Sequence, residues 1–221
     1  MTEPLPLVVL VSGRGSNLQA IEARIVSGEV PARIRAVLSD REDAAALAWA
    51  AGRGLITRAL PPRAYPDGAA FDAALGEAIA GYEPALVLLA GFMRILGAPL
   101  VERFAGRMLN IHPSLLPKYR GLHTHRRVLE AGDTEHGASV HFVTSELDGG
   151  PVVLQARVPV FPGDDETGLA QRVLVQEHRI YSLAVRWFAE GRLRLHAGAA
   201  WFDGRPLEVP LLANGTADAV A

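Results

Sequence analysis

Cysteine is absent from the 221 residues, which excludes disulfides, thiolate nucleophiles and thiolate metal sites. That absence fits a reducing compartment. Lysine is nearly absent too. Lys118 is the only one among 22 basic residues, and the rest are arginine. A Gly-x-x-x-x-Gly-Lys phosphate loop is absent, which argues against that class of nucleotide hydrolase. Charge of one sign is also lacking. With 22 basic and 24 acidic residues the net charge is −2, so the chain carries no electrostatic footprint for nucleic acid. The apolar run at 5–11 is too short to span a membrane. It follows Glu3 rather than a basic residue, which makes it a poor signal peptide. It reads as the first strand of a cytoplasmic protein. No internal repeat, low-complexity segment or linker divides the chain.

Hydrophobic residues make up 49% of the chain, enough for a substantial core. Continuous apolar runs at 7–11 and 85–90 have the length of strands buried on both faces. Helical spacing links Leu18, Ile21 and Ile25, and again Phe71, Leu75 and Ile79. Strands and helices alternate through residue 111, which predicts an open, mostly parallel, Rossmann-like α/β sheet with helices on both faces and right-handed crossovers. A hairpin is expected from 136–143 and 152–160. The longest helix is expected over 167–189, with Leu169, Val173, Ile180, Leu183 and Trp187 inward. A C-terminal antiparallel hairpin is expected at 193–195 and 200–202. The expected organisation is a single domain over 1–205, with halves of about 1–105 and 106–205, and a disordered tail over 206–221.

Five of the seven histidines fall within 108–150. Asn110 and His112 are two apart, so on a strand they share a face, while Leu109 and Ile111 can turn to a core. Pro113 stops regular pairing and puts both polar residues at a strand end, where open α/β sheets bind ligands. An amide donor beside an imidazole suits a developing oxyanion. A carboxylate beside the imidazole, such as Asp148, would orient it and favour its charged form. Each piece also has a plain explanation. Asn-x-His is often a strand end with satisfied polar groups, and Asp-Gly is first a hairpin turn signal.

Gly13-Arg-Gly15-Ser16-Asn17 joins a strand to a helix, and its backbone N–H groups suit a phosphate. Leu18 occupies the third glycine position of Gly-x-Gly-x-x-Gly, which spoils the dinucleotide fingerprint. A tight turn needing glycine for positive φ explains the loop equally well. Asp40 could mimic a ribose-binding carboxylate, although a polar strand end is the commoner explanation. Without cysteine or a His-Glu-x-x-His helix, the other histidines make a weak metal site.

The run His112-Pro-Ser-Leu-Leu-Pro-Lys-Tyr-x-Gly closely resembles the signature of the 10-formyltetrahydrofolate-dependent formyltransferases. Further motifs follow the family in order: Ser12-Gly-x-Gly-Ser-Asn17, Ala90-Gly-Phe-Met-Arg-Ile-Leu96, Gly121-Leu-His-Thr-His-Arg126, Glu146-Leu-Asp-Gly-Gly-Pro151 and Gln176-Glu-His178. The resemblance runs from Val9 to Phe202 and is nearest to the members that formylate glycinamide ribonucleotide in purine synthesis. It implies Asn110, His112 and Asp148 as the catalytic trio. It implies Gly15, Ser16, Asn17 and Glu177 as contacts to the nucleotide. It assigns the folate to Met93, Arg94, Ile95 and Leu96, with Asn110, Asp148 and the backbone of 144–148, including Thr144. The implied cosubstrate is 10-formyltetrahydrofolate, with no metal and no nucleic-acid or membrane partner, in a monomer or homodimer. One departure concerns an arginine that some members carry before the helix starting near Phe71, where this chain has Gly68, with Arg63 nearby. The alternatives are another formyltransferase or hydrolase of the same cosubstrate, or a non-catalytic nucleotide-binding module. The last would leave Asn110, His112 and Asp148 without a joint task.

Overall fold

The computed structural model describes residues 3–213. The chain forms two compact units that divide between Asn110 and Ile111. In the first, strands β1 (Leu5–Val11), β2 (Ala32–Ser39), β3 (Thr57–Ala59), β4 (Leu86–Leu89) and β5 (Met108–His112) run parallel in the order β5-β4-β1-β2-β3. Leu7 to Val11 and Leu86 to Leu88 are fully buried, as continuous apolar strands of a parallel sheet must be. Helices α1 (Ser16–Val26), α2 (Ala45–Gly52), α3 (Gly68–Ala80) and α4 (Ala98–Arg103) supply the crossovers.

The second unit begins inside β5 and continues with α5 (Thr124–Ala131), β6 (Glu135–Phe142), β7 (Val152–Pro159) and α6 (Glu166–Ala189). β6 and β7 pair antiparallel, with His136 opposite Val158 and Ser139 opposite Gln155. Strands β8 (Leu193–His196), β9 (Ala199–Phe202) and β10 (Arg205–Pro206) form a separate antiparallel sheet, one strand more than the expected hairpin.

The chain after 205 differs from the expected disordered tail. Leu211–Leu212 forms a further strand, β11, parallel to β7, with Leu211 opposite Leu154. The Ala213 N–H donates to the Gln155 carbonyl at 2.8 Å, and Arg179 donates to the Ala213 carbonyl at 3.1 Å. A two-residue strand carries no periodicity that a sequence could show. It forms because the edge of β7 offers backbone groups that need partners. Residues 214–221, also assigned to that tail, lie outside the described residues.

The segment between β5 and α5 is seated on β6 and β7 by close approach and by buried polar groups. A side chain at Gly137 on β6 would lie 2.0 Å from the Ala156 carbonyl oxygen and 2.7 Å from Leu115 Cδ2. Ser139 Oγ donates to the Ser114 carbonyl at 2.7 Å and accepts the Leu116 N–H at 3.1 Å. Gln155 Nε2 donates to the Leu116 carbonyl and to Ser139 Oγ, both at 2.8 Å. Gly137→Ala should therefore destabilise the fold by ~1–3 kcal/mol or more through overpacking. Gly52→Ala, at a helical position with open space around it, should be neutral or stabilising by up to ~1 kcal/mol. Urea unfolding of the two variants checks the contrast, and equal midpoints would contradict it.

Candidate active site

In the first unit the loop after β1 is tied down at both ends. Ser12 Oγ donates to Asp40 Oδ1 at 2.5 Å and accepts the Met93 N–H at 2.9 Å, and the Ser12 N–H donates to the Gly91 carbonyl at 3.0 Å. Asp40 is thus a partner of Ser12, which accounts for a carboxylate at the end of β2 without a ribose. Gly15 takes φ 77° and caps α1, and a Cβ there would meet Ala46 Cβ at 2.6 Å. Both properties demand glycine. At Gly13 a Cβ would meet nothing within 4 Å. α3 and α6 have their first-turn amides capped by Asp67 and Asp165, whereas no side chain caps α1 at Gly15. Its first-turn N–H groups are in the arrangement that favours an anion. Ser16 is half-buried and Asn17 buried.

The 92–96 segment alternates in exposure. Phe92 and Leu96 are buried, while Met93 is 66% and Ile95 70% exposed. Two large apolar side chains held outward on an anchored loop are unusual in water and suit a flat, largely apolar ligand. Arg94 lies with its guanidinium 4.8 Å from the centre of the Phe71 ring, and its Nε is buried without a hydrogen bond. Arg63, near the departure at Gly68, is ion-paired with Glu42.

The second unit holds the imidazole–carboxylate pair. His112 Nδ1 is 3.5 Å from Asp148 Oδ2, with both side chains under 10% exposed. His112 Nε2 lies 2.9 Å from the Tyr119 carbonyl oxygen. A carbonyl only accepts, so Nε2 carries the hydrogen, and Nδ1 is the nitrogen turned to Asp148. Asp148 itself takes φ 47°, a left-handed conformation uncommon outside glycine, and its Oδ2 accepts the Gly121 N–H at 2.9 Å. His141 has the same design as His112: Nδ1 donates to the Phe142 carbonyl at 2.9 Å, and Nε2 stands 3.6 Å from Asp148 Oδ1. Burial alone would push the Asp148 carboxyl up. His141, the Gly121 amide and His112 outweigh it and hold the group below the usual carboxylate range.

Asn110 and His112 lie on β5 two residues apart. The expectation that Asp148 keeps His112 charged needs correction. Burial pushes the imidazole below 6.5, and the Tyr119 carbonyl and Asp148 only partly restore it. That direction favours the neutral ring near neutral pH in the ligand-free chain. Glu177 is another departure from the usual surface glutamate. It is 9% exposed and sits in phase with Leu169, Val173, Ile180 and Ala184 on the buried stripe of α6. Thr144 is half-buried, its hydroxyl 3.5 Å from the Glu146 carbonyl. The backbone groups of Tyr119 and Gly121 were not anticipated, since a main-chain donor or acceptor leaves no mark on residue type.

The match to known proteins follows this geometry. The model of the formyl transferase family matches residues 5–185, so the chain belongs to that family. Within it, the chain is 55% identical to phosphoribosylglycinamide formyltransferase of Escherichia coli, over 91% of this chain and 95% of that protein. The Coxiella burnetii phosphoribosylglycinamide formyltransferase structure superposes with a TM-score of 0.89 at 50% identity, covering 93% of this chain and 96% of that one. Glycinamide ribonucleotide transformylase 1 from Symbiobacterium toebii gives a TM-score of 0.88 at 46% identity, over 91% and 95% of the two chains. Among the described residues no helix is long and apolar enough to cross a membrane.

Beside the site, His125 Nδ1 and His136 Nε2 are 3.0 Å apart, sharing one hydrogen. Burial, then His125, pushes His136 down to about 4, and burial also lowers His125. Both groups bind protons more readily when unfolded, so their contribution is fully present above pH 6.5 and is lost as pH falls toward 4. For His136 alone the full loss is on the order of 3 kcal/mol. Urea midpoints measured from pH 7.5 to pH 4 should fall less for His136→Asn than for the wild type. Parallel curves would refute this.

Proposed function

We propose that this chain transfers the formyl group of 10-formyltetrahydrofolate to the amine of glycinamide ribonucleotide, a step of purine synthesis. The observation that carries the reading is the buried His112–Asp148 pair in a member of the formyl transferase family. The relatives that match over nearly their whole length are named for this activity. Gly15, Ser16 and Asn17, at the uncapped start of α1, would hold the nucleotide phosphate, and the buried Glu177 carboxylate would take hydroxyl donors of the same substrate. Met93, Arg94, Ile95 and Leu96, with the backbone of 144–148 including Thr144, would hold the folate. The outward Met93 and Ile95 fit a flat heterocycle.

10-Formyltetrahydrofolate supplies the formyl carbon, whose bond to the nucleotide amine forms as its bond to the folate nitrogen breaks, with the amine proton ending on that nitrogen. The carbon keeps its oxidation level, so the reaction balances without an electron carrier. His112 begins neutral, with its hydrogen on Nε2, and Nδ1 takes the proton that the attacking amine must lose. The imidazolium so formed is stabilised by Asp148 on one side and by the Tyr119 carbonyl on the other. Asn110 donates its amide hydrogen to the formyl oxygen as that oxygen gains charge. Asp148 also fixes the ring's direction and offers a second acceptor for the travelling proton.

Losing one group of such a site typically costs ~10²–10³ in turnover. His112→Ala should lose at least that much, with modest change in nucleotide affinity, and Asp148→Asn should lower turnover with little change in shape. Formyl transfer followed by folate absorbance, with methionyl-tRNA and water as competing acceptors, checks both the roles and the substrate. Near-full activity of His112→Ala would overturn the reading.

The phosphate loop is better tested at Gly13 than at Gly15. A side chain at Gly15 would strain the turn and strike Ala46, whereas Gly13 faces open space. Gly13→Val should keep the fold and folate affinity while weakening nucleotide binding about tenfold or more, an energy of ~1.4 kcal/mol. Calorimetric titration of each ligand decides it. Unchanged nucleotide affinity would move the phosphate elsewhere.

A further inference from the structure

Asp133 stands just after α5 and has no place among the reacting groups, yet its carboxylate holds two neighbours of the catalytic strand. Asp133 Oδ2 accepts Lys118 Nζ at 2.8 Å and Tyr119 Oη at 2.9 Å. The chain's single lysine is thus committed to this contact. Tyr119 has φ 57°, a conformation that costs a bulky residue about 1–3 kcal/mol and persists only where the surroundings enforce it. The enforcing contacts are Asp133 on the hydroxyl, the Arg127 guanidinium 5.2 Å from the ring centre, and Ser114 Oγ, which donates to the Lys118 carbonyl at 2.7 Å. The result is to aim the Tyr119 carbonyl at His112 Nε2, 2.9 Å away.

That carbonyl decides which imidazole nitrogen carries the hydrogen. Asp148 is an acceptor 3.5 Å from Nδ1, so by itself it would draw the hydrogen to Nδ1. With the hydrogen on Nδ1, that nitrogen could not take a proton from the amine. The Tyr119 carbonyl competes for the hydrogen from the other side and keeps Nδ1 bare. We propose that Asp133 is a positioning residue which, through Tyr119, holds His112 in the Nε2–H tautomer that the reaction needs. This rests on the reading of His112 as the proton acceptor. The tautomer itself can be observed without any substrate.

The experiment is ¹⁵N NMR of the histidine side chains in the ligand-free full chain, with the His112 signals assigned by their loss in His112→Ala. The wild type should show the Nε2–H form. Asp133→Ala and Tyr119→Phe should both populate the Nδ1–H form, with kcat falling about tenfold to a hundredfold and KM for both substrates nearly unchanged. Asp133→Asn keeps an acceptor oxygen for the Tyr119 hydroxyl and should recover most of the wild-type tautomer and rate. Tyr119→Phe removes one hydroxyl and keeps the ring under Arg127, so it guards against a folding defect in Asp133→Ala. A wild-type tautomer in both variants would overturn the proposal, whether or not turnover falls. Failure of the formyl-transfer reading would show separately, as retained activity in His112→Ala.

Discussion

The second unit depends on one short turn. The Tyr119 carbonyl accepts from His112, and two residues later the Gly121 N–H donates to Asp148. Backbone groups of opposite polarity therefore grip an imidazole and a carboxylate from opposite ends of the pair and set the 3.5 Å between them. The geometry requires left-handed backbone at Tyr119, Gly121 and His123, and again at Asp148. Only one of these four residues is glycine, so the turn is held from outside rather than by its own preference.

What holds it is a set of polar groups that are individually satisfied. Ser139, Ser114 and Gln155 are buried and bonded to one another or to the backbone of 114–116. A buried polar network costs stability wherever a member lacks a partner, and it specifies one arrangement when every member has one. Apolar packing of Leu115 against Gly137 sets the depth of the segment, and the polar bonds set its register. The proposed catalytic groups can then sit on a strand end and a hairpin turn with little freedom to drift, which matters when a displacement of ~1 Å costs ~10²-fold in rate.

Much of this was legible in the residues. The alternation of Leu109 and Ile111 with Asn110 and His112 gave both the strand and the shared face, and the apolar runs of β1 and β4 gave a parallel sheet. Glu177 carried a signal that was there to be read. It falls in phase with Val173 and Ile180, so a helix that buries those residues must bury the carboxylate too. A carboxyl group kept on a core stripe has to be matched by a polar partner. Other features had no signal. Leu211–Leu212 is a strand only because β7 offers it an edge, and Asp40 is explained by Ser12, 28 residues away in sequence. The folded-state proton preference of His112 depends on how much water the fold removes from it, which no spacing of residues encodes.

A ring that rests neutral changes how the carboxylate would work. An imidazole already charged at rest could donate to an oxyanion but could not take the proton that the attacking amine must shed. A neutral imidazole can take it. In the proposed reaction the site would gain its positive charge at the point where the formyl oxygen gains its negative one. Asp148 is held below the usual carboxylate range, so it is ionised at rest and favours the imidazolium over the neutral ring. Burial, which keeps His112 neutral before the reaction, also strengthens the attraction between Asp148 and the imidazolium once the proton has arrived. Desolvation and the ion pair oppose each other in setting the resting state, and in the proposed mechanism both would make the proton transfer selective for the transition state.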